Sequence, residues 1–105
     1  VACVISIGYG ETQGVSHKIK SPKDVSNASD ITPRWFNDGV KAALLAPTAV
    51  NQQKFHFEYE TFGGNGKKRV SARKGTSILG YTQMDLGIAK YHFEIGAGKD
   101  NFEWK

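Results

Sequence analysis

The stretch ALLAPTAVNQQKFHF, Ala43 to Phe57, decides how this chain is read. Apolar residues lead in, a proline interrupts, and one hydroxyl and three side-chain amides (Thr48, Asn51, Gln52, Gln53) precede a second apolar run. Upstream, Thr32 is a good N-cap, and Pro33 suits the first helical position, where its missing N–H costs nothing. Phe36, Val40 and Leu44 recur at i, i+4 and i+8, and Trp35 with Ala42 or Ala43 widens the stripe, so an amphipathic helix is expected. Pro47 disfavours helical geometry at Ala46 and should end that helix. Downstream, Phe55, Phe57 and Tyr59 alternate with His56, Glu58 and Glu60, the period of a strand with one buried face.

Further out, Asn65-Gly66 is a favoured tight-turn pair, and KKRVSAR returns as the second strand of a hairpin with Val70 and Ala72 on its apolar side. Glu58 and Glu60 then face Arg69, Ser71 and Arg73. Such cross-strand pairs contribute about 0.2–1 kcal/mol each. Near the C-terminus, Thr82 and Asp85 have capping-box spacing. Met84, Ile88, Tyr91 and Ile95 form one apolar stripe and Leu86, Ala89, Phe93 and Ala97 another. A helix apolar on two sides is expected between layers or at a subunit interface. Gly96 and Gly98 read as its stop signals. The opening run, Val1 to Ile7, suits a strand buried on both faces, with Cys3 as a small buried hydrophobe. Residues 15–30 read as loop. The order β, long loop, α, β-hairpin, α is that of a two-layer α+β domain rather than a parallel α/β sheet.

The chain has 105 residues, enough for one modest domain, and an ordinary globular composition. No apolar run approaches the roughly 20 residues that cross a bilayer, so no membrane association is expected. Its single cysteine excludes an internal disulfide and fits a reducing compartment, the cytoplasm. The chain starts at valine within a strand-like run, which suggests the loss of an N-terminal portion. Net charge is +4, and the excess gathers in KKRVSARK, Lys67 to Lys74, with five basic residues and no acid. A nucleic-acid module using that cluster is the less favoured reading, since the hairpin partners above already give it a structural role.

Motifs for self-sufficient catalysis are missing. His17, His56 and His92 have no serine or cysteine in a nucleophile motif, and neither HExxH nor CxxC occurs. Gly8, Gly10 and Gly14 do not form the dinucleotide fingerprint. Such poverty suits a protein whose cofactor carries the chemistry, for which the chain needs an apolar wall and a few placed hydrogen bonds. Thr48, Asn51 and Gln53 can offer both donors and acceptors to a heterocycle such as a flavin.

AALLAPTAVNQQKFHF resembles the segment of FMN-dependent nitroreductases that runs roughly Ala-Pro-Ser-x-x-Asn-x-Gln-Pro-Trp. It matches at Ala46, Pro47, Thr48 (for Ser), Asn51 and Gln53, while Lys54 and Phe55 replace Pro and Trp. DLGIAKYHFEIGAG resembles the family's central helix, and VISIGYG its late strand. Lys18 and Lys20 stand where the family often keeps a basic residue near the flavin phosphate. Two departures are evident: the Ala-Pro-Ser segment here follows the IGY strand, and the arginine-rich segment that grips the FMN phosphate is absent.

The resemblance implies a nitroreductase-like α+β fold, a two- or three-layer sheet with a buried central helix. Residues 1–105 would be its C-terminal portion, an incomplete half of the full fold. It implies FMN bound by Ala46, Pro47, Thr48, Asn51 and Gln53, with Lys18 or Lys20 helping to neutralise phosphate. It also implies NAD(P)H as cosubstrate and a nitro compound, quinone or similar small-molecule electron acceptor. The missing N-terminal portion or a homodimer partner would complete the site. A non-catalytic flavin-binding protein of the same fold is the alternative. By their local chemistry alone, Asn51 and Gln53 could instead cap the turn after the helix, and the lysines could be solvated loop residues.

Overall fold

The computed structural model describes residues 3–61, 68–75 and 82–105. It is α+β. A single helical turn, α1 (Pro22–Val25), precedes α2 (Arg34–Leu44), the strands β1 (Phe55–Thr61) and β2 (Lys68–Lys74), the long helix α3 (Thr82–Ala97) and a two-residue strand β3 (Glu103–Trp104). The sheet order is β1-β2-β3, with β1 and β2 antiparallel and β3 parallel to β2. Among the described residues no helix is long and apolar enough to cross a membrane.

The periodicity of α2 holds. Phe36, Val40, Ala43 and Leu44 are buried. Its ends differ from expectation by about a turn's edge. Pro33, not Thr32, occupies the N-cap, and Thr32 instead closes a turn with Ser29, whose N–H donates to Thr32 Oγ1 at 2.9 Å. The helix stops at Leu44, with the Leu45 N–H bonded to Ala42 and Ala43 carbonyls. The hairpin register places Glu58 opposite Ser71, Glu60 opposite Arg69 and His56 opposite Arg73. Its Asn65-Gly66 turn lies outside the described residues. Phe55 and Phe57 are buried on the core face, as the alternation requires.

Helices α2 and α3 cover that face. The Phe57 ring stacks on Phe93 of α3 at 4.8 Å between centroids, and Phe36 of α2 meets Phe93 at 5.7 Å and Tyr59 at 5.6 Å. Trp35, Phe102 and Trp104 extend the cluster. Aromatic pairs in these offset and edge-on arrangements contribute about 0.5–1.5 kcal/mol beyond the area they bury. The helices can approach this closely because each carries a glycine at the crossing. A Cβ at Gly39 would lie 2.8 Å from the Phe93 ring, and one at Gly96 would lie 2.5 Å from Ala42 Cβ and 2.7 Å from the Asp38 carbonyl. Gly96 is therefore a packing residue within α3 rather than its stop signal. Gly98, at φ 82°, follows the helix, and the Asn101 side-chain amide caps the Ala97 carbonyl at 2.7 Å.

Three sequence expectations are corrected. The Val1–Ile7 run is not a buried strand over its described part: residues 3–7 have no regular structure, Val4 is 90% and Ile7 96% exposed, and Cys3 is exposed. Apolar composition makes a strand only where a neighbouring strand offers paired backbone groups, and the outer edge of β1 is taken by Asn27. The Asn27 side chain accepts from Tyr59 N at 2.8 Å and donates to Tyr59 O at 3.2 Å. Second, residues 22–25 form a helical turn rather than loop, fixed by a capping box between Ser21 and Asp24. Third, of the two placements expected for α3, the described residues do not bury it between layers: one side only is covered. Asp85, Ala89, Phe93 and Ala97 are buried, whereas Met84, Tyr91 and Ile95 are exposed.

The crossing makes a direct prediction. Gly96→Ala must displace Ala42 or the Asp38 backbone and should destabilise the chain by about 1–3 kcal/mol, the usual cost of overpacking. Gly87→Ala, in the same helix with nothing within 4 Å of the new Cβ, should stabilise by about 0.5–1 kcal/mol. Urea unfolding of the two variants measures both; equal effects would contradict a glycine-dependent crossing.

Candidate functional site

The turn between α2 and β1 sits where the end of α2, the start of β1 and the first turn of α3 converge. Pro47 leaves the helix, and Ala49–Asn51 forms one 3₁₀ turn. Its backbone is strained. Val50 (φ 45°), Asn51 (φ 55°) and Gln53 (φ 48°) all occupy the left-handed region without being glycine. For β-branched Val50 that conformation is an outlier, and each such residue costs on the order of 1–3 kcal/mol unless its surroundings over-determine it.

The surroundings do so through two side chains. Asp85, in the first turn of α3 and 4% exposed, accepts the Ala49 N–H on both carboxylate oxygens at 3.1 Å and the Gln52 side-chain amide at 2.7 Å. The Thr82 side chain, with which the spacing of Asp85 suggested a capping box, lies outside the described side chains. Gln53, 3% exposed, is the second clamp. Its Oε1 accepts the Lys20 N–H at 3.0 Å, and its Nε2 donates to the Lys18 carbonyl at 2.9 Å and to Asn51 Oδ1 at 2.8 Å. Asn51 Nδ2 reaches the same Lys18 carbonyl at 2.8 Å, Lys20 Nζ donates to the Gln53 carbonyl at 3.2 Å, and the Gln53 N–H donates to Thr48 Oγ1 at 3.1 Å. His17 Nε2 bonds the Leu44 carbonyl at 3.0 Å, tying the same loop to the end of α2.

The structure thus gathers Thr48, Asn51, Gln53, Lys18 and Lys20 into one network, although 28 to 35 residues separate the lysines from the turn in sequence. Ala46 is fully buried beneath it and Pro47 is exposed beside it. The Gln53 amide is fully engaged inside the protein. Thr48 and Asn51 keep capacity: a hydroxyl proton on Thr48 and one amide proton on Asn51 have no partner among the described residues. Sequence reasoning missed Asp85 and His17 as supports. The only available signal for Asp85 was an acid in a helix's first turn, which has a sufficient local explanation in the helix dipole.

A family model described as "Putative TM nitroreductase" matches residues 1–97. No curated protein and no solved structure matches the chain. The match spans nearly the whole sequence, and the chain belongs to this nitroreductase family.

If Asp85 holds the turn, Asp85→Ala leaves the Ala49 N–H and the Gln52 amide without their charged acceptor. A loss of about 1.5–3 kcal/mol is expected in urea unfolding, the range for a hydrogen bond to a charged group. A change within 0.5 kcal/mol, as ordinary surface substitutions give, would contradict the clamp.

Proposed function

We propose that the Ala46–Gln53 turn forms one edge of an FMN site in an oxidoreductase that takes electrons from NAD(P)H. The observation that carries this reading is the strained turn. Three left-handed residues within four positions, Val50, Asn51 and Gln53, are held in place by a buried carboxylate and a buried amide, and strain of that kind gathers where a ligand is gripped. The family match from 1 to 97 supports the same reading.

The residues present fit a flavin edge. Thr48 Oγ1 and Asn51 Nδ2 have protons to donate, Pro47 offers a flat exposed apolar face, and buried Ala46 leaves room for close approach of the turn. Gln53 acts as a positioning residue: it holds the Lys18 carbonyl and the Lys20 backbone against the turn, and the Lys20 ammonium, bonded to the Gln53 carbonyl, stands beside the polar groups. Bound FMN would supply hydride acceptance from NAD(P)H and electron delivery to a nitro compound, quinone or similar acceptor. The chain's own part is to bind, orient and neutralise. Completion of the site by a homodimer partner or by an N-terminal portion is supported by the exposed apolar side of α3 at Met84, Tyr91 and Ile95, a face of the kind that docks on another surface.

Flavin fluorescence titration tests the reading. The chain should quench FMN saturably, and Asn51→Ala and Thr48→Val should each weaken binding by about fivefold to tenfold, the effect of one hydrogen bond of about 1 kcal/mol. FMN affinity unaffected by both substitutions would overturn the placement. FMN binding with no NAD(P)H oxidation, in a preparation with its completing partner, would favour the non-catalytic flavin protein.

A further inference from the structure

Two apolar surfaces of this chain are left uncovered, and they match in length and spacing. The first is the N-terminal arm. The chain is anchored at His17 and Lys18, whose partners are the Leu44 carbonyl and the Asn51 and Gln53 amides. Before that anchor, the described residues 3–16 are all exposed. Val4, Ile5, Ile7 and Tyr9 are each 78% exposed or more. Laid out as a strand, the arm places Ile5, Ile7 and Tyr9 on one side, about 6.6 Å apart, and Ser6, Gly8 and Gly10 on the other. The second surface is the outer stripe of α3. Met84, Tyr91 and Ile95 are 64–68% exposed, and half-buried Ile88 joins them at helical spacing. Steps of three and four residues place successive members about 4.5–6 Å apart along the axis. Single exposed apolar residues are ordinary, but a continuous stripe marks a contact surface. The arm's apolar side runs about 13 Å from Ile5 to Tyr9, and the stripe runs about 16 Å from Met84 to Ile95.

We propose that two copies of the chain exchange these arms, the Ile5–Ile7–Tyr9 side of each lying along the Met84–Ile95 stripe of α3 in the other. The arm does not cover its own helix, since both surfaces stay open in one chain. The radius of gyration is 15.3 Å, against about 13 Å for a compact chain of this length, as a projecting arm requires. Each chain carries both halves of the contact, so a two-fold axis makes every contact twice and leaves neither surface over. Burial of these side chains removes apolar area from water at no cost in backbone pairing within either body. The exchange gives the homodimer partner of the proposed flavin site its contact surfaces. No flavin takes part in it, so failure of the FMN reading would leave it in place.

The test uses Cys3, the chain's single cysteine, which is exposed on the arm. Chain carrying a nitroxide on Cys3 is mixed with isotope-labelled Cys3→Ser chain, and NMR reads the amides of the second. Broadening along residues 84–95 that grows with concentration is expected, together with a dimer in sedimentation equilibrium. Ile7→Asp on the arm and Tyr91→Asp on α3 should each weaken dimerisation by about tenfold or more, because each puts a charge into the apolar contact. Ile31→Asp, at a residue 95% exposed and outside both surfaces, should change it less than about twofold. All three replace exposed side chains, and matching core resonances confirm that the variants fold. An equimolar mixture of the Ile7→Asp and Tyr91→Asp chains should associate more tightly than either alone, since one intact arm then meets one intact stripe. A monomer at every concentration, or a dimer without broadening at 84–95, would overturn the exchange. So would broadening seen only when nitroxide and isotope share one chain, which would place the arm on its own helix.

Discussion

One carboxylate holds the turn on which the proposed flavin site is built. Asp85 projects from the first turn of α3 into the turn after α2 and is satisfied there by a backbone N–H and a side-chain amide. A buried carboxylate without such donors would be costly, so the turn and the helix hold each other. The left-handed backbone at Val50, Asn51 and Gln53 is conformationally expensive, and charge-assisted bonds are strong enough to offset it. Gln53 then transmits the turn's geometry to the 18–20 loop through its amide.

That arrangement depends on where α3 stands. The Gly39–Gly96 crossing lets α3 lie close against α2, and the stacked Phe57–Phe93 pair anchors it to the sheet. With the helix seated, its first turn arrives beside Ala49. Packing at one end of α3 thereby fixes hydrogen bonding at the other. The same hairpin register that turns Phe55 and Phe57 to the core turns His56 and its partner Arg73 to the other face.

Much of the fold was legible in the sequence because period and burial agree. The i, i+4, i+8 stripe of α2 and the alternation of β1 each describe a face that the core covers. The turn after Pro47 stood out in the sequence through its amides and its resemblance to nitroreductases, and the structure shows it as a strained, internally bonded turn. Other features were not. The Val4–Ile7 run carries a strand's composition but lacks a pairing partner among the described residues, and no local pattern encodes a partner. Gly96 carried a stop signal's identity, yet its role follows from Ala42 and Asp38, more than 50 residues away in sequence. Asp85 had an adequate local role, which concealed its tertiary one. The 18–20 loop could be placed beside the turn only by family resemblance, since long-range hydrogen bonds leave no periodic trace.

In the proposed function the Ala46–Gln53 turn is preorganised to receive a flavin. Hydrogen exchange of the backbone amides, with and without FMN, tests it most directly. FMN should slow exchange selectively at residues 48–53 and in the 18–20 loop while leaving the far end of α3 unchanged. Exchange unaltered at these residues by saturating FMN, or slowed uniformly across the chain, would contradict the claim.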